Sequence, residues 1–128
     1  MNYEQARAYA VNVSRSGSIL GLDSIENLMH ELGDIQERLK IIHIAGTNGK
    51  GSTGAYLERV LIEAGYRVGR YSSPAVFDPM EVWRINLQSM SHEEYADIME
   101  QVKCACDRMV EKGMEHPTIF EVETAMAF

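Results

Sequence analysis

The sequence predicts an α/β fold, a parallel sheet flanked by helices. Two observations carry that prediction. The run Ile41-Ile42-His43-Ile44-Ala45-Gly46-Thr47-Asn48-Gly49-Lys50-Gly51-Ser52-Thr53 reads as a buried strand, a glycine-rich turn and the start of a helix. A second short strand, residues 67–71, follows that helix. Strand, helix and strand within about thirty residues make a βαβ unit, which is parallel and right-handed by strong preference.

The elements follow from local pattern. A first helix is expected over residues 3–13, and the Ser- and Gly-rich stretch 14–21 is a loop. Asp23 reads as an N-cap with Glu26 as its capping-box partner. Ile25, Leu28, Met29 and Leu32 form one apolar stripe, and Gly33 stops that helix. Residues 41–45 are nearly all apolar, as in a strand covered on both faces. His43 interrupts them and reads as a core histidine with a hydrogen-bond partner, since buried polar groups are paired.

The helix after the glycine turn turns Leu57, Val60, Leu61 and Ala64 inward and Glu58, Arg59 and Glu63 outward, and Gly65 ends it. Residues 72–80, with Pro74 and Pro79, form a loop, and residues 81–87 are a strand or an extended arm. Ser91 opens another helix, with Glu94 as capping-box partner. Its stripe of Tyr95, Ile98, Met99, Val102, Cys106, Met109 and Val110 is core. Gly113 ends it, and Pro117 and Thr118 open a last helix that runs into Phe128.

Bulk properties narrow the function. A length of 128 residues suggests one domain, and 45% hydrophobic residues suffice for a core. Nineteen acids against 12 bases give a formal charge of −7, which weighs against a nucleic-acid partner. A small nucleotide stays open, because a few N–H groups and one lysine can hold it. No apolar run approaches a membrane span, and the first five residues lack the basic and apolar regions of a signal peptide. No membrane partner and a cytoplasmic location are therefore expected. Cys104 and Cys106 lie two apart on a helix and face different sides, so they cannot easily bridge. Cys106 reads as core and Cys104 as half-exposed, and no second Cys or His cluster supports a redox or metal role.

The glycine-rich turn carries the chemistry. Its N–H groups converge on an anion, and the following helix presents its positive end to the same point. Lys50 adds a mobile charge that can follow terminal phosphates. Ser52 and Thr53 can donate to phosphate or ligate magnesium. The spacing departs from the common phosphate-loop pattern G-x-x-x-x-G-K-[ST]: Ile44 holds the first glycine position and Gly51 separates Lys50 from Ser52. The plainer alternative is a glycine turn that only links strand to helix.

The stretch from His43 to Ser52 resembles the nucleotide loop of the folylpolyglutamate synthase and dihydrofolate synthase family, which belongs to the Mur-ligase-like amide-bond-forming enzymes. Gly65-Tyr66-Arg67-Val68-Gly69-Arg70-Tyr71-Ser72-Ser73-Pro74 is similar to that family's second strand and Ser-Pro signature. Residues 81–86 resemble the loop segment that follows, and Thr118-Ile119-Phe120-Glu121 resembles its T-x-F-E segment. The family often has Pro-His and then Asn-Glu-Arg where this sequence has Pro74-Ala75-Val76 and Met80-Glu81-Val82; the arginine is missing, and Arg84 stands nearby. The similarity runs from about Gly21 to Phe128 and covers about the first third of a two-domain enzyme by the usual domain sizes.

The resemblance implies a P-loop NTPase-like sheet belonging to a partial Mur-ligase central domain. Residues 1–128 would be the N-terminal part of the ATP-binding domain, with the C-terminal glutamate-ligase domain outside the chain. Two features of the sequence agree with a fragment. The apolar stretch 124–128 has no stop signal, and no apolar strand ending in an acidic magnesium ligand follows the second strand. The implied activity is ATP-dependent addition of L-glutamate to folate or dihydropteroate through an acyl phosphate. ATP and Mg2+ would be the cofactors, and the isolated fragment would be inactive.

By the same resemblance Thr47, Asn48, Gly49, Lys50, Gly51 and Ser52 hold the phosphates, with Lys50 catalytic. Ser73 contacts magnesium, and Thr118, Phe120 and Glu121 line the pterin pocket. The residues themselves leave alternatives. Ser73 before Pro74 can be an ST-turn. Glu121, three residues after Thr118, fits a capping box. Phe120 can stack on the flat ring or pack beside it. The loop at Leu20-Gly21-Leu22 can border the same pocket. A monomeric parent enzyme is expected, with an apolar end through which the fragment can self-associate. The rival functions are a Mur-type ligase of cell-wall precursors and a non-catalytic nucleotide-binding or structural fragment. The Lys-Gly-Ser order and the T-x-F-E segment weigh against the Mur type.

Overall fold

The computed structural model describes residues 1–17 and 20–128. The helices are α1 (Tyr3–Ser14), α2 (Asp23–Glu31), α3 (Lys50–Glu63), α4 (His92–Glu111) and α5 (Ile119–Ala125). The strands are β1 (Gly69–Tyr71), β2 (Trp83–Ile85) and β3 (Gln88–Ser89). The single domain suggested by length divides into two units. One is Met1–Leu39 with His92–Met126 and Phe128; the other is Lys40–Ser91 with Ala127. The sequence hides this division because no linker-like composition marks either crossing.

The first unit is helical. Asn2 opens α1 with a capping box: its side chain accepts from Gln5 N (2.9 Å), and the Gln5 side chain accepts from Asn2 N (2.9 Å). Helix α4 packs against α1 and α2, and α5 packs against the same two. The core holds Ala6, Ala10 and Val13 of α1, Leu28 and Met29 of α2, and Val122 and Ala125 of α5. From α4 it takes Tyr95, Ala96, Met99, Val102, Ala105, Cys106 and Met109, whereas Val110 is exposed. The expected stripe is therefore broadened by two alanines, loses its last member and keeps Ile98 only half-buried. A helix packed by two neighbours buries more than one narrow seam.

The capping box expected at Asp23 does not form. Leu22 is the N-cap of α2 and makes no side-chain cap bond, while Asp23 and Glu26 sit in the first turn, where their charge favours the helix dipole. The stop at Gly33 is as expected, with Asp34 N bonded to Met29 O (2.9 Å) and Gly33 N to His30 O (3.0 Å). The same pair of bonds closes α3 at Gly65 and α4 at Gly113. Of the loop expected over 14–21, Ser18 and Ile19 lie outside the described residues. Helix α5 ends at Ala125 rather than running into Phe128, and Met126 is buried beside it.

Cys104 is exposed and Cys106 is buried, as the spacing suggests. Burial pushes the Cys106 thiol up to about 11. Since the thiolate is the nucleophile, an alkylating reagent at neutral pH is expected to label Cys104 and spare Cys106 until the chain unfolds. Peptide mass spectrometry checks this, and equal labelling rates in the native state would contradict it.

The second unit differs from the expected parallel βαβ arrangement. Its sheet has the order β1-β2-β3 and is antiparallel, with Gly69 opposite Ile85, Arg70 opposite Arg84, and Tyr71 opposite Trp83. Asn86 and Leu87, both at positive φ (47° and 69°), make the two-residue turn between β2 and β3. Asn86 fastens this turn to the start of β1: its N donates to Val68 O (2.9 Å) and its Oδ1 accepts from Val68 N (2.8 Å). The segment read as a strand or arm is thus a 3-10 turn, Pro79–Val82, followed by β2.

Residues 41–45 pair with no strand among the described residues. Ile41 and Ile42 are 57% and 60% exposed, and His43 is exposed rather than buried. A strand requires a partner, and the described residues supply none to this segment, of which Ile44 alone is half-buried.

Helix α3 is also turned from the expected face. Glu58, expected outside, is 2% exposed, and Val60, expected inside, is 63% exposed. The cause lies in the sheet. Arg70 and Arg84 are direct cross-strand partners, a like-charge pair that is unfavourable alone. Both reach one oxygen of Glu58, Arg70 at 3.0 Å and Arg84 at 3.1 Å. The remaining core of this unit is Met80, Val82 and Trp83, with Tyr71 stacked on Trp83 (ring centroids 6.2 Å apart, planes 16° apart).

Candidate nucleotide and ring sites

The glycine-rich turn is built by backbone conformation. Gly46 (φ 156°) and Gly49 (φ 79°) both occupy the region that residues with a Cβ avoid. Gly49 is the N-cap of α3, and no side chain caps the helix. The first bond into the helix runs from Thr53 N to Gly49 O (2.9 Å). The N–H groups of Lys50, Gly51 and Ser52 therefore precede the intrahelical ladder and gather at the positive end of a 14-residue helix. Lys50 Nζ donates back to the Gly46 carbonyl, which holds the ammonium across the turn. Thr47 and Asn48 form the exposed bend between the two glycines. The arrangement can receive an anion of several charges.

Ser73 belongs to the same unit. It is exposed, lies two residues past the end of β1, and precedes a cis peptide bond to Pro74. Beyond it, Glu81 Oε1 accepts from the N–H groups of Val76 and Phe77 (3.0 Å for Phe77), and these bonds keep its carboxyl below the usual range. They hold a loop tip on which Phe77 is 94% exposed. Among the described residues no three His, Cys, Asp or Glu side chains gather as a metal site. The hydroxyls of Ser52, Thr53 and Ser73 are the oxygens of this unit that the sequence offers to a cation.

Sequence reasoning misses Arg70. Its guanidinium bonds both Glu58 (3.0 Å) and the Gly51 carbonyl (2.9 Å) inside the turn-and-helix element. The available signal is a glutamate in mid-helix, Glu58, followed by arginines at strand positions, and helix periodicity alone assigns that glutamate to solvent.

The T-x-F-E residues lie in the first unit. Thr118 is the N-cap of α5 and forms a capping box with Glu121. Glu121 Oε2 accepts from Thr118 N (2.7 Å), Thr118 Oγ1 (3.0 Å) and Ser24 Oγ (3.1 Å). Both residues are buried, while Phe120 is exposed. A cleft of about 260 Å³ is lined by Leu20, Gly21, Asp23, Ser24, Asn27, Met109, Met114, Glu115 and Glu121. The structure thus brings Glu121 and the Leu20-Gly21 loop to one cleft. Thr118 and Phe120 do not line it.

No family model matches the chain. It is 36% identical over 126 residues to the dihydrofolate synthase/folylpolyglutamate synthase of Bacillus subtilis, covering 98% of this chain and 29% of that protein. A solved FPGS–AMPPCP–folate complex matches with a TM-score of 0.88 and 31% identity, over 99% of this chain and 31% of that one. A bifunctional folylpolyglutamate synthase/dihydrofolate synthase with Mn, AMPPNP and L-glutamate bound matches with a TM-score of 0.81 and 34% identity, over 95% and 29%. The chain spans about three-tenths of the length of these proteins. With identity above 30% sustained along almost all of its residues and backbones that superpose this closely, the chain belongs to the folylpolyglutamate synthase/dihydrofolate synthase family.

Proposed function

We propose that this chain is the phosphate-binding part of an ATP-dependent ligase that joins L-glutamate to folate or dihydropteroate through an acyl phosphate. The observation that carries the reading is the uncapped N-terminus of α3, preceded by two positive-φ glycines and spanned by Lys50. The N–H groups of Lys50, Gly51 and Ser52 would receive the phosphate oxygens, with Thr47 and Asn48 on the rim of the turn. The Lys50 ammonium would exchange the Gly46 carbonyl for the terminal phosphate, where it neutralises charge as the phosphoryl group leaves. ATP supplies that group and thereby makes the acceptor carboxylate reactive. Ser52 and Ser73 suit Mg2+, which prefers oxygen ligands and keeps several waters.

For the acceptor, Glu121 is the ring-binding group of the cleft. Its Oε2 already takes three hydrogen bonds, so Oε1 is the oxygen to offer a ring N–H. The volume of about 260 Å³ is just below the ~300–1,000 Å³ of drug-sized sites, which suits a flat bicyclic ring with the remainder of the substrate outside. Thr118 sets the position of Glu121, and the exposed Phe120, outside the cleft lining, would offer its face to the part of the substrate beyond the cleft. Relatives solved with AMPPCP, folate, AMPPNP, Mn and L-glutamate support the substrate class.

Within the longer enzyme, residues 1–128 would form the N-terminal part of the ATP-binding domain, with the glutamate-ligase domain elsewhere in the chain. Residues 41–45 would become a strand of a parallel P-loop sheet there. No described helix is long and apolar enough to cross a membrane. A cytoplasmic enzyme without membrane or nucleic-acid partners is part of the proposal, and the acidic charge supports the lack of a nucleic-acid partner. A monomeric parent and some self-association of the isolated piece complete the proposal.

Calorimetric titration of the 128-residue chain with a non-hydrolysable ATP analogue tests the phosphate site, and saturable binding is expected. A full-length relative carrying this segment should add glutamate to folates and ignore UDP-sugar peptides, while the 128-residue chain alone should form no product. Absence of nucleotide binding, or preference for the UDP-sugar peptides, would refute the proposal.

A further inference from the structure

We infer that Arg70 is a positioning residue for the nucleotide turn, aiming one of its phosphate donors from behind; the inference rests on the nucleotide reading above. Arg70 stands in the middle of β1 and reaches α3 at two points, Glu58 Oε2 (3.0 Å) and the Gly51 carbonyl (2.9 Å). Gly51 and Glu58 are seven residues apart, two helical turns, so they share one face. The Glu58 side chain leans toward the helix N-terminus, as helical side chains do, and this lets a single guanidinium serve both.

The space for it comes from Gly54, which lies between those two residues on the same face. A Cβ there would meet Arg70 Nε at 3.2 Å and its Cζ and a terminal nitrogen at 3.3 Å. Gly54 is not among the positive-φ glycines, so its role is room and not backbone conformation. Glu58, at 2% exposure, holds the guanidinium in place.

The consequence for the site follows from peptide geometry. The Gly51 carbonyl and the Ser52 N–H belong to one planar, trans peptide and point in opposite directions. Fixing the carbonyl on Arg70 fixes the direction of the Ser52 N–H, one of the three donors ahead of the intrahelical ladder.

The test is R70K in the 128-residue chain, with R70M and the core control V82A beside it. A lysine can keep the ion pair with Glu58 but cannot also hold the Gly51 carbonyl, because it lacks the guanidinium fork. R70K is therefore expected to melt close to the parent and to bind a non-hydrolysable ATP analogue about tenfold more weakly, the scale of one lost hydrogen bond to a charged group. Parental affinity in R70K overturns the inference. So does weakening that merely follows melting temperature across R70K, R70M and V82A. If the parent chain binds no nucleotide, the phosphate reading fails by itself, and amide exchange decides the positioning role. Faster exchange at Ala55 in R70K, with Val60–Glu63 unchanged, supports it; identical exchange refutes it.

Discussion

Lys50→Ala in a full-length enzyme carrying this segment is expected to lower turnover by about 10²–10³-fold or more, the cost of removing a preorganised charge-stabilising donor, and to leave the fold intact. The geometry separates the two effects. Lys50 is exposed, opens α3, and donates to one partner, the Gly46 carbonyl, which solvent can serve instead. Alanine is also a better helix former than lysine, so the helix does not suffer. What disappears is the only full positive charge in the run from Gly46 to Thr53. Backbone amides remain, so nucleotide binding should weaken without vanishing, and kcat should fall more than affinity. Steady-state kinetics with a thermal melt measures both. Normal turnover by a folded K50A enzyme would remove the central assignment.

The second large effect is on stability. Glu58→Ala is expected to destabilise the second unit by about 3–5 kcal/mol, toward the lower figure because the two arginines are partly exposed. Removing the carboxylate leaves Arg70 and Arg84 directly opposed across two strands with nothing between them. The loss is mostly this unpaired charge and not lost packing, so E58L/R70M/R84M should recover much of it, as apolar replacement of a whole buried ion cluster often does. Trp83 is the single tryptophan, is buried, and belongs to this unit, so its fluorescence in a urea titration reports the right transition. A loss below about 1 kcal/mol, the scale of a surface ion pair, would show that the cluster is incidental.

These two residues also show where the sequence speaks and where it is silent. Lys50 is legible because its chemistry is local: glycines at fixed offsets, a cation and a helix start are all determined within eight residues. The same holds for the Thr118–Glu121 capping box and for the three glycine stops. Glu58 is illegible because its burial is decided by two strands 12 and 26 residues away, and helix periodicity knows nothing of them. His43 and the run around it fail for the opposite reason. Their apolar pattern describes an environment of neighbouring strands, and the described residues do not provide that environment. The antiparallel hairpin of β2 with β3 was hidden too, since its Asn86-Leu87 turn carries a leucine at positive φ, where turn rules lead one to look for glycine. In the first unit, the cleft at Glu121 joins segments almost a hundred residues apart, which only a family resemblance, and no spacing rule, could anticipate.

Gly54 has a practical consequence for anyone engineering this segment. Propensity tables rank it as the obvious weak point of α3, and alanine there promises about 0.5–1 kcal/mol. The added methyl would instead press on the Arg70 guanidinium, so a sequence-profile or consensus redesign would trade a small gain in helicity for a displaced side chain in the ion cluster. Thermostabilisation of this helix should therefore begin on its solvent side, at Tyr56 or Val60, and leave residue 54 bare.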